Sequence, residues 1–488
     1  MSCRKQSTGP RRQRRRRRER ARSQNKAQFL ELLNWFLPEG ELFSKDEFHG
    51  NTRWSPDQLA AQALIWSWQE TRHVTDAFAH SREICEALSW NQTAMTYTSF
   101  MNALSRYDSL WMRRLRQRCQ ALAQQVGGRF FRNGDWVLIG FDGSRATAPR
   151  TACNEGALCA PNYGHGKRAK YGQKKSQGLR RKRNKQHPPH PPAPQAWITM
   201  LWHMGLRLPW TWRLGPSNAS ERDHVKEMLT EEEFPENTLF CGDAGFTGYP
   251  LWRAVREAQG DFLVRVGANV NLLSEHADVK KLGGGIVLCW PKGQRASGEP
   301  PLRLRLVRVQ IGKTKLWLLT SVLDPRRLGR KQLIRIYKLR WGIEVEFRGL
   351  KQTIDKHKLR CRNSERLLVE LNWSLLAMAV AELLALREQI ASQHEDQSAY
   401  DPQDRSLAST LRALRRSLRY LAGKCDARDS LLQALAHAKV QRYTNHSDKR
   451  ARYRPANPDK KPLGEPNVKK LNAAQREILK HHDQRIAA

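Results

Sequence analysis

Between residues 135 and 266 the chain alternates short, strongly apolar runs with turns and amphipathic stretches, and this order limits the fold more than any other feature. "DWVLIGFDGS" is a β-rich run ending on Asp142, and "AWITMLWHMG" and "LPWTWRLG" read as two strands joined by a tight turn. "SERDHVKEMLT" begins with Ser220 as an N-cap and reads as a helix. "NTLFCGDAGF" is another buried-type strand, ending on Asp243, and is followed by the helix-like "YPLWRAVREAQG" and the strand "DFLVRVG".

Three strands, helix, strand, helix, strand is the order of a ribonuclease-H-like fold. The expectation is therefore an α/β protein, a mixed sheet flanked by helices. A β-rich stretch from "IVLCWPKG" to "LRLRLVRVQIGKTKLWLLTSV" reads as an insertion at 268–320, placed before a last helix. Asp142 and Asp243, taken singly, sit in ordinary strand-end turn pairs. On neighbouring strands they would project from one edge of the sheet, where sites are usually built.

The last helix contains "YKLRWGIEVEFRGLK" at 337–351. At about 100° per residue, Tyr337, Arg340, Glu344 and Lys351 fall in one polar stripe about 60° wide and roughly 21 Å long. Glu346 falls on the opposite face. Leu333, Ile336, Leu339, Ile343, Phe347, Leu350 and Ile354 lie mainly on the flank that would be buried. For any single charge on the stripe, a solvated face with an i,i+4 Arg–Glu contact is the ordinary alternative.

Charge constrains the partner. Among 488 residues, 86 Lys+Arg against 47 Asp+Glu give a formal net charge of +39, which implies a polyanion. The run "RRQRRRRRERAR" at 11–22 gives a disordered basic arm over 1–26, and "GKRAKYGQKKSQGLRRKRNKQHPPHPPAPQ" gives a basic surface loop at 166–195. Helical periodicity dominates the next region and predicts a helical domain over 27–130, for DNA binding through a turn between short helices or for plain packing, ahead of the ribonuclease-H-like domain at 131–395. Residues 396–488 read as a helical and basic tail. "LLVELNWSLLAMAVAELLAL" at 367–386 is interrupted by Glu370, Asn372 and Glu382 and so reads as a core helix, not a membrane span. No secretory signal is visible, and nine cysteines without a CxxC pair fit a reducing, cytoplasmic setting.

Three carboxylates without a histidine are hard oxygen ligands suited to Mg²⁺ or Mn²⁺. Two such ions can support in-line attack on a phosphodiester. The spacing Y-x2-R-x3-E-x6-K, as Tyr337, Arg340, Glu344 and Lys351, with "FDGS" and "GDAGF" upstream, resembles the DDE transposases of bacterial insertion sequences, specifically the insertion-sequence-four group. The resemblance runs from about 135 to 395. It implies a ribonuclease-H-like catalytic core with a β insertion before the glutamate. It further implies that Asp142, Asp243 and Glu344 bind two Mg²⁺ ions, for which Mn²⁺ can substitute. Tyr337, Arg340 and Lys351 would hold DNA phosphates. It also places Trp317 where relatives stack a flipped base, against the alternative of a strand tryptophan in the insertion's own core. Arg145 and Arg150 follow the first aspartate and can reach phosphate, or can be ordinary loop arginines.

The reading is a transposase that cleaves and transfers DNA strands by a cut-and-paste route, acting on double-stranded transposon ends and target DNA as a homodimer on DNA, away from membranes. Two alternatives stay open: a two-metal nuclease of this fold that never joins DNA, and a transposase-derived DNA-binding protein with an idle site. "GKT" at 312–314 lacks the first glycine of a phosphate-binding loop, and Cys153, Cys159 and His165 are too irregularly spaced for an ordinary zinc site.

Overall fold

A computed structural model describes residues 9–158, 193–276, 278–290, 293, 298–312, 314–396, 400–425, 430–440 and 463–487. Helices α1 (Gly9–Phe36), α2 (Pro56–Trp68), α3 (Val74–Ala87), α4 (Tyr97–Arg106) and α5 (Asp108–Gly127) come first. The ribonuclease-H-like unit follows as β1 (Val137–Thr147), α6 (Ala152–Leu158), β2 (Gln195–His203), β3 (Leu208–Gly215), α7 (Glu221–Glu231), β4 (Thr238–Gly242), α8 (Tyr249–Glu257) and β5 (Asp261–Val266). Next come β6 (Asn271–Ser274), β7 (Gly284–Cys289), β8 (Leu302–Ile311) and β9 (Thr314–Thr320). Helices α9 (Arg330–Leu339), α10 (Gly342–Arg348), α11 (Ser364–Asp396), α12 (Leu407–Leu421) and α13 (Leu431–Ala436) then precede β10 (Asn467–Lys470) and α14 (Ala473–Ala487).

The strands form one sheet in the order β10-β6-β7-β8-β9-β5-β4-β1-β2-β3. Its β3-β2-β1-β4-β5 part has the ribonuclease-H arrangement: β1 is antiparallel to β2 and parallel to β4, and β4 is parallel to β5. The apolar runs explain the order. Residues Val137–Phe141 and all of β4 are buried, as central strands covered on both faces require. The insertion does not fold as a separate unit. It prolongs the same sheet, with β9 antiparallel to β5 and β10 of the tail closing the far edge against β6.

The apolar stretch at 367–386 lies within α11, which packs at the centre of the protein. A segment of it, Ser364–Ser392, is long and apolar enough to cross a membrane, but 89% of its apolar window is buried inside the protein. Each polar interruption is tied. Glu370 accepts from Lys356 Nζ at 2.8 Å and from the Arg360 and Cys361 amides at 3.0 Å. Asn372 accepts from Trp212 Nε1 at 3.0 Å and donates to Asp108 at 2.8 Å. Glu382 faces the buried Arg405 at 3.9 Å.

Three expectations about organisation are corrected. Residues 9–26, read as a disordered arm, continue the helix of the apolar segment after them. Arginine is a good helix former, and the helix docks on α12: Tyr420 donates to the Arg18 carbonyl at 2.9 Å and Ser417 to Asn25 Oδ1 at 2.8 Å. The helical region 27–130 does not have its own core. Its buried side chains belong to one cluster with the sheet and α11, and Trp68 Nε1 donates to the Ala377 carbonyl at 2.8 Å. The tail likewise contributes a strand, not only helices. The basic loop at 166–195 falls almost wholly outside the described residues.

Candidate active site

Parallel pairing sets the first two acids level with each other. Gly140 on β1 is paired with Cys241 on β4, so Asp142 and Asp243, each two residues further on, leave the sheet at the same height on adjacent strands. Asp142 Oδ1 accepts from the Gly143 amide at 2.9 Å, and Asp243 Oδ1 accepts from the Gly245 amide at 2.6 Å. The turn after Asp243 is fixed from outside by Arg222 Nε on the Gly245 carbonyl at 2.8 Å and by Asn269 on the Ala244 carbonyl at 3.0 Å.

Glu344 comes from a helix that is not continuous, contrary to expectation. It ends at Leu339, turns through Arg340 and Trp341, resumes at Gly342, and closes in a π-helical turn at Gly349–Thr353. Across the break the amides of Trp341, Ile343 and Glu344 bond three residues back instead of four. The cause is packing. A side chain at Gly342 would run into the Trp202 indole of β2, so the helix comes down onto the sheet at its only residue without a Cβ in that turn. Trp341 is turned outward and is 58% exposed. The buried flank is otherwise as read, with Leu333, Ile336, Ile343, Phe347, Leu350 and Ile354 in the core and Leu339 partly buried.

The break brings Arg340 into the acids instead of leaving it on a solvated stripe. It is 8% exposed, with Nη1 at 4.0 Å from Asp142 and Nη2 at 3.5 Å from Glu344, and its guanidinium lies 5.6 Å from the Tyr337 ring centroid. Its Nε and Nη1 have no hydrogen-bond partner. Burial pushes the Asp142 carboxyl up to about 6, and the charges of Asp243 and Glu344 add to that rise while the Gly143 amide and Arg340 oppose it. Burial also raises the Tyr337 hydroxyl and lowers the Lys351 ammonium. Lys351 sits in the π turn, and no ion pair joins it to the acids among the described residues.

Among the described residues, no three His, Cys, Asp or Glu side chains stand closely enough together to hold one ion. Arg340 links Asp142 with Glu344, and the expected trio forms no closed cluster among the described residues. Like charges repel, and the Arg340 guanidinium occupies the space between Asp142 and Glu344. The donor set, carboxylates alone, suits a hard divalent cation, which would offset the burial and, secondarily, the neighbouring charges that raise Asp142.

The other sequence-predicted residues separate. Trp317 is 3% exposed, on β9 opposite Val266 of β5, with Arg308 5.7 Å from its ring. The base-stacking expectation is corrected: alternation on a doubly covered strand points the ring into the core. Arg145 lies 4.2 Å over the Trp197 ring, and Arg150 is paired with Glu155 at 3.0 Å.

Sequence reasoning missed Glu221. The first residue of α7 puts its carboxylate over Gly143, where an added Cβ would overlap it. Burial raises this carboxyl to about 7, with the charges of Asp142 and Asp243 adding to the rise and those of Arg145 and Arg222 opposing it. The signal available was an acid directly after the Ser220 cap. Glu346, read as the far face, is buried against Glu382, and burial with that neighbour holds its carboxyl well above the usual range.

Residues 200–380 match the family described as Transposase DDE domain. Over this region the chain is similar to DDE transposases. The DDE match includes Asp243 and Glu344 and begins after Asp142. The chain is 27% identical over 225 residues to "Transposase InsG for insertion sequence element IS4" of Escherichia coli, covering 44% of this chain and 48% of that protein. It is 25% identical over 147 residues to a putative transposase of Sinorhizobium fredii, covering 29% of this chain and 41% of that one. The chain thus spans about half the length, or less, of the curated DDE relatives it matches. A cryo-EM structure of a piggyBac transposase synaptic complex with hairpin DNA superposes at a TM-score of 0.38 with 12% identity over 87% of each chain.

Proposed function

We propose that this chain is a transposase that cleaves and joins the DNA ends of an insertion sequence, with Asp142, Asp243 and Glu344 as its catalytic acids. The observation that carries the reading is the meeting of two level strand-end aspartates with a glutamate through one buried arginine, Arg340. Two Mg²⁺ ions, or Mn²⁺, held by these acids would supply charge stabilisation for an in-line phosphodiester attack.

The chain's own residues do the positioning. The Asp142 and Asp243 carboxylates are anchored by the Gly143 and Gly245 amides and present their second oxygens. Arg340, buried and with two unsatisfied nitrogens, suits a non-bridging phosphate oxygen of the strand being cut. Tyr337 supports it from below, and Lys351 extends the positive contact along the backbone. Arg145 and Arg150 lie on and after the strand that carries Asp142 and serve the same backbone. The helices over 56–127 and the arginine-rich part of α1 hold DNA further from the cut. The route is cut-and-paste, on double-stranded DNA, with two copies bridging two ends in the bacterial cytoplasm.

The rival within this fold is a nuclease that hydrolyses DNA and never joins it. A strand-transfer assay on linear DNA carrying the native ends separates them: wild type yields joined molecules and Glu344→Ala yields none. Cut product without joined product supports the nuclease, and equal joining by the variant overturns the assignment of Glu344.

A further inference from the structure

We propose that α12 is a ridge for the DNA backbone, its outward arginines Arg412, Arg416 and Arg419 gripping duplex phosphates away from the cut. The inference rests on the proposed function for its partner, DNA, and adds a surface outside the catalytic acids.

α12 has two distinct sides. Thr410, Leu411, Leu414, Ser417, Leu418 and Leu421 are buried, while Arg412, Arg416 and Arg419 are exposed. At about 100° per residue these three arginines fall within an arc of about 60° and span roughly 10 Å of the helix. No Asp or Glu occurs between residues 407 and 421. The fourth arginine of the helix, Arg415, is committed to the fold: Nε donates to the Trp68 carbonyl at 2.7 Å and Nη2 to the Thr353 carbonyl at 3.2 Å, and Nη1 lies 3.7 Å from Glu70. Arg412 lies along its own helix, on the Ala408 carbonyl at 3.3 Å and Ser409 at 3.0 Å, and neither contact brings a negative charge to it.

Such a row opposes helix formation, because like charges three and four residues apart repel. The helix dipole favours Arg419 in the last turn but not Arg412 near the start. A face that serves solubility alone mixes both signs. A row of one sign becomes favourable when a polyanion neutralises it. The outward row also has no aromatic ring and no carboxamide, so it suits phosphates and not base edges.

Both ends of the ridge meet residues already proposed to hold DNA. At its start, Leu407 packs on Gly349, where an added Cβ would overlap it, and Arg415 holds the Thr353 carbonyl, so α12 is seated on the π turn that carries Lys351. At its end, the arginine-rich part of α1 runs alongside: Tyr420 donates to the Arg18 carbonyl at 2.9 Å, and Arg22 donates to the Leu421 carbonyl. With 15 residues, α12 is roughly 22 Å long, the rise of about six base pairs. It therefore joins the turn beside the cut to the α1 arginines.

The test is the salt dependence of DNA affinity, measured by fluorescence anisotropy on the full-length protein in EDTA. Wild type is compared with Arg412→Gln/Arg416→Gln/Arg419→Gln, with Arg412→Lys/Arg416→Lys/Arg419→Lys, and with Lys281→Gln/Lys315→Gln/Arg326→Gln, which removes three exposed charges elsewhere. Circular dichroism establishes that each variant is folded. Each lost phosphate contact lowers the slope of log affinity against log salt by about 0.9, so the α12 glutamine variant should lose about 2–3 from the slope, equally on duplexes with and without the native ends. The lysine variant should keep the slope, because the charge is retained, and the control should match wild type. A slope in the α12 glutamine variant that falls no further than the control's would overturn the ridge and leave Asp142, Asp243 and Glu344 standing. An equal fall in the lysine variant would also overturn it, since the arginines would then act through packing. A fall confined to duplexes with native ends would overturn backbone gripping in favour of base reading. If wild type binds no duplex, the proposed function fails, and the inference with it.

Discussion

Replacing Asp142 by asparagine in metal-free protein should make the fold more stable at neutral pH, although it removes a proposed catalytic group. Burial, with Asp243 and Glu344 nearby, raises this carboxyl from 3.8 to about 6 in the folded chain. The folded state therefore holds the proton more tightly than the unfolded state, and stability falls as pH rises from 3.8 through about 6. At about 1.36 kcal/mol per pH unit, the gap corresponds to a cost on the order of 3 kcal/mol once both states are ionised. The Asp142 side chain is 22% exposed, so solvent screening removes only part of it. Chemical denaturation in EDTA at intervals from about pH 4 to about pH 7.5 measures this directly. The stability of wild type minus that of Asp142→Asn should fall by about 2–3 kcal/mol across that range. Saturating Mg²⁺ should restore wild type and leave the variant unchanged. A difference that stays flat with pH, or a variant less stable than wild type at neutral pH, would refute the reasoning that burial beside two other acids raises Asp142.

Trp317→Phe should cost about 1–3 kcal/mol of stability through lost packing and leave DNA affinity unchanged in a filter-binding assay, since the ring is inside the core. Gly342→Ala should destabilise by about 1–3 kcal/mol through overpacking against Trp202, and thermal melts would register it; a neutral effect would mean that the helix break is not held by that contact. DNA affinity should fall on the order of 10³–10⁵-fold between 50 and 200 mM salt if the basic surface grips phosphates at many points. A nearly flat salt dependence would place recognition elsewhere.

What was readable in the sequence was whatever a local period encodes. The apolar runs ending on Asp142 and Asp243 already implied central strands, because continuous burial on both faces leaves no polar alternation, and the register then sets the two acids level. The polar marks on 367–386 read as a core helix because a membrane span would not tolerate them, and each now has a partner. What was not readable depended on distant residues. The break at Arg340–Trp341 is caused by Trp202, well over a hundred residues upstream, and a periodic projection has no access to it. Glu221 drew no notice because Gly143, over which its carboxylate lies, is remote in sequence. The arginine run looked disordered by composition, but α12 supplies hydroxyl donors that hold the helix in place.

The central claim is that Asp142, Asp243 and Glu344 hold divalent cations together. Anomalous scattering from crystals grown with Mn²⁺ tests it most directly. The account predicts strong anomalous peaks with carboxylate oxygens of all three residues at ordinary ligand distances, about 2.0–2.6 Å, and Arg340 displaced from between Asp142 and Glu344. Peaks bound by other residues, or a saturated crystal in which Arg340 still bridges those two acids, would contradict it.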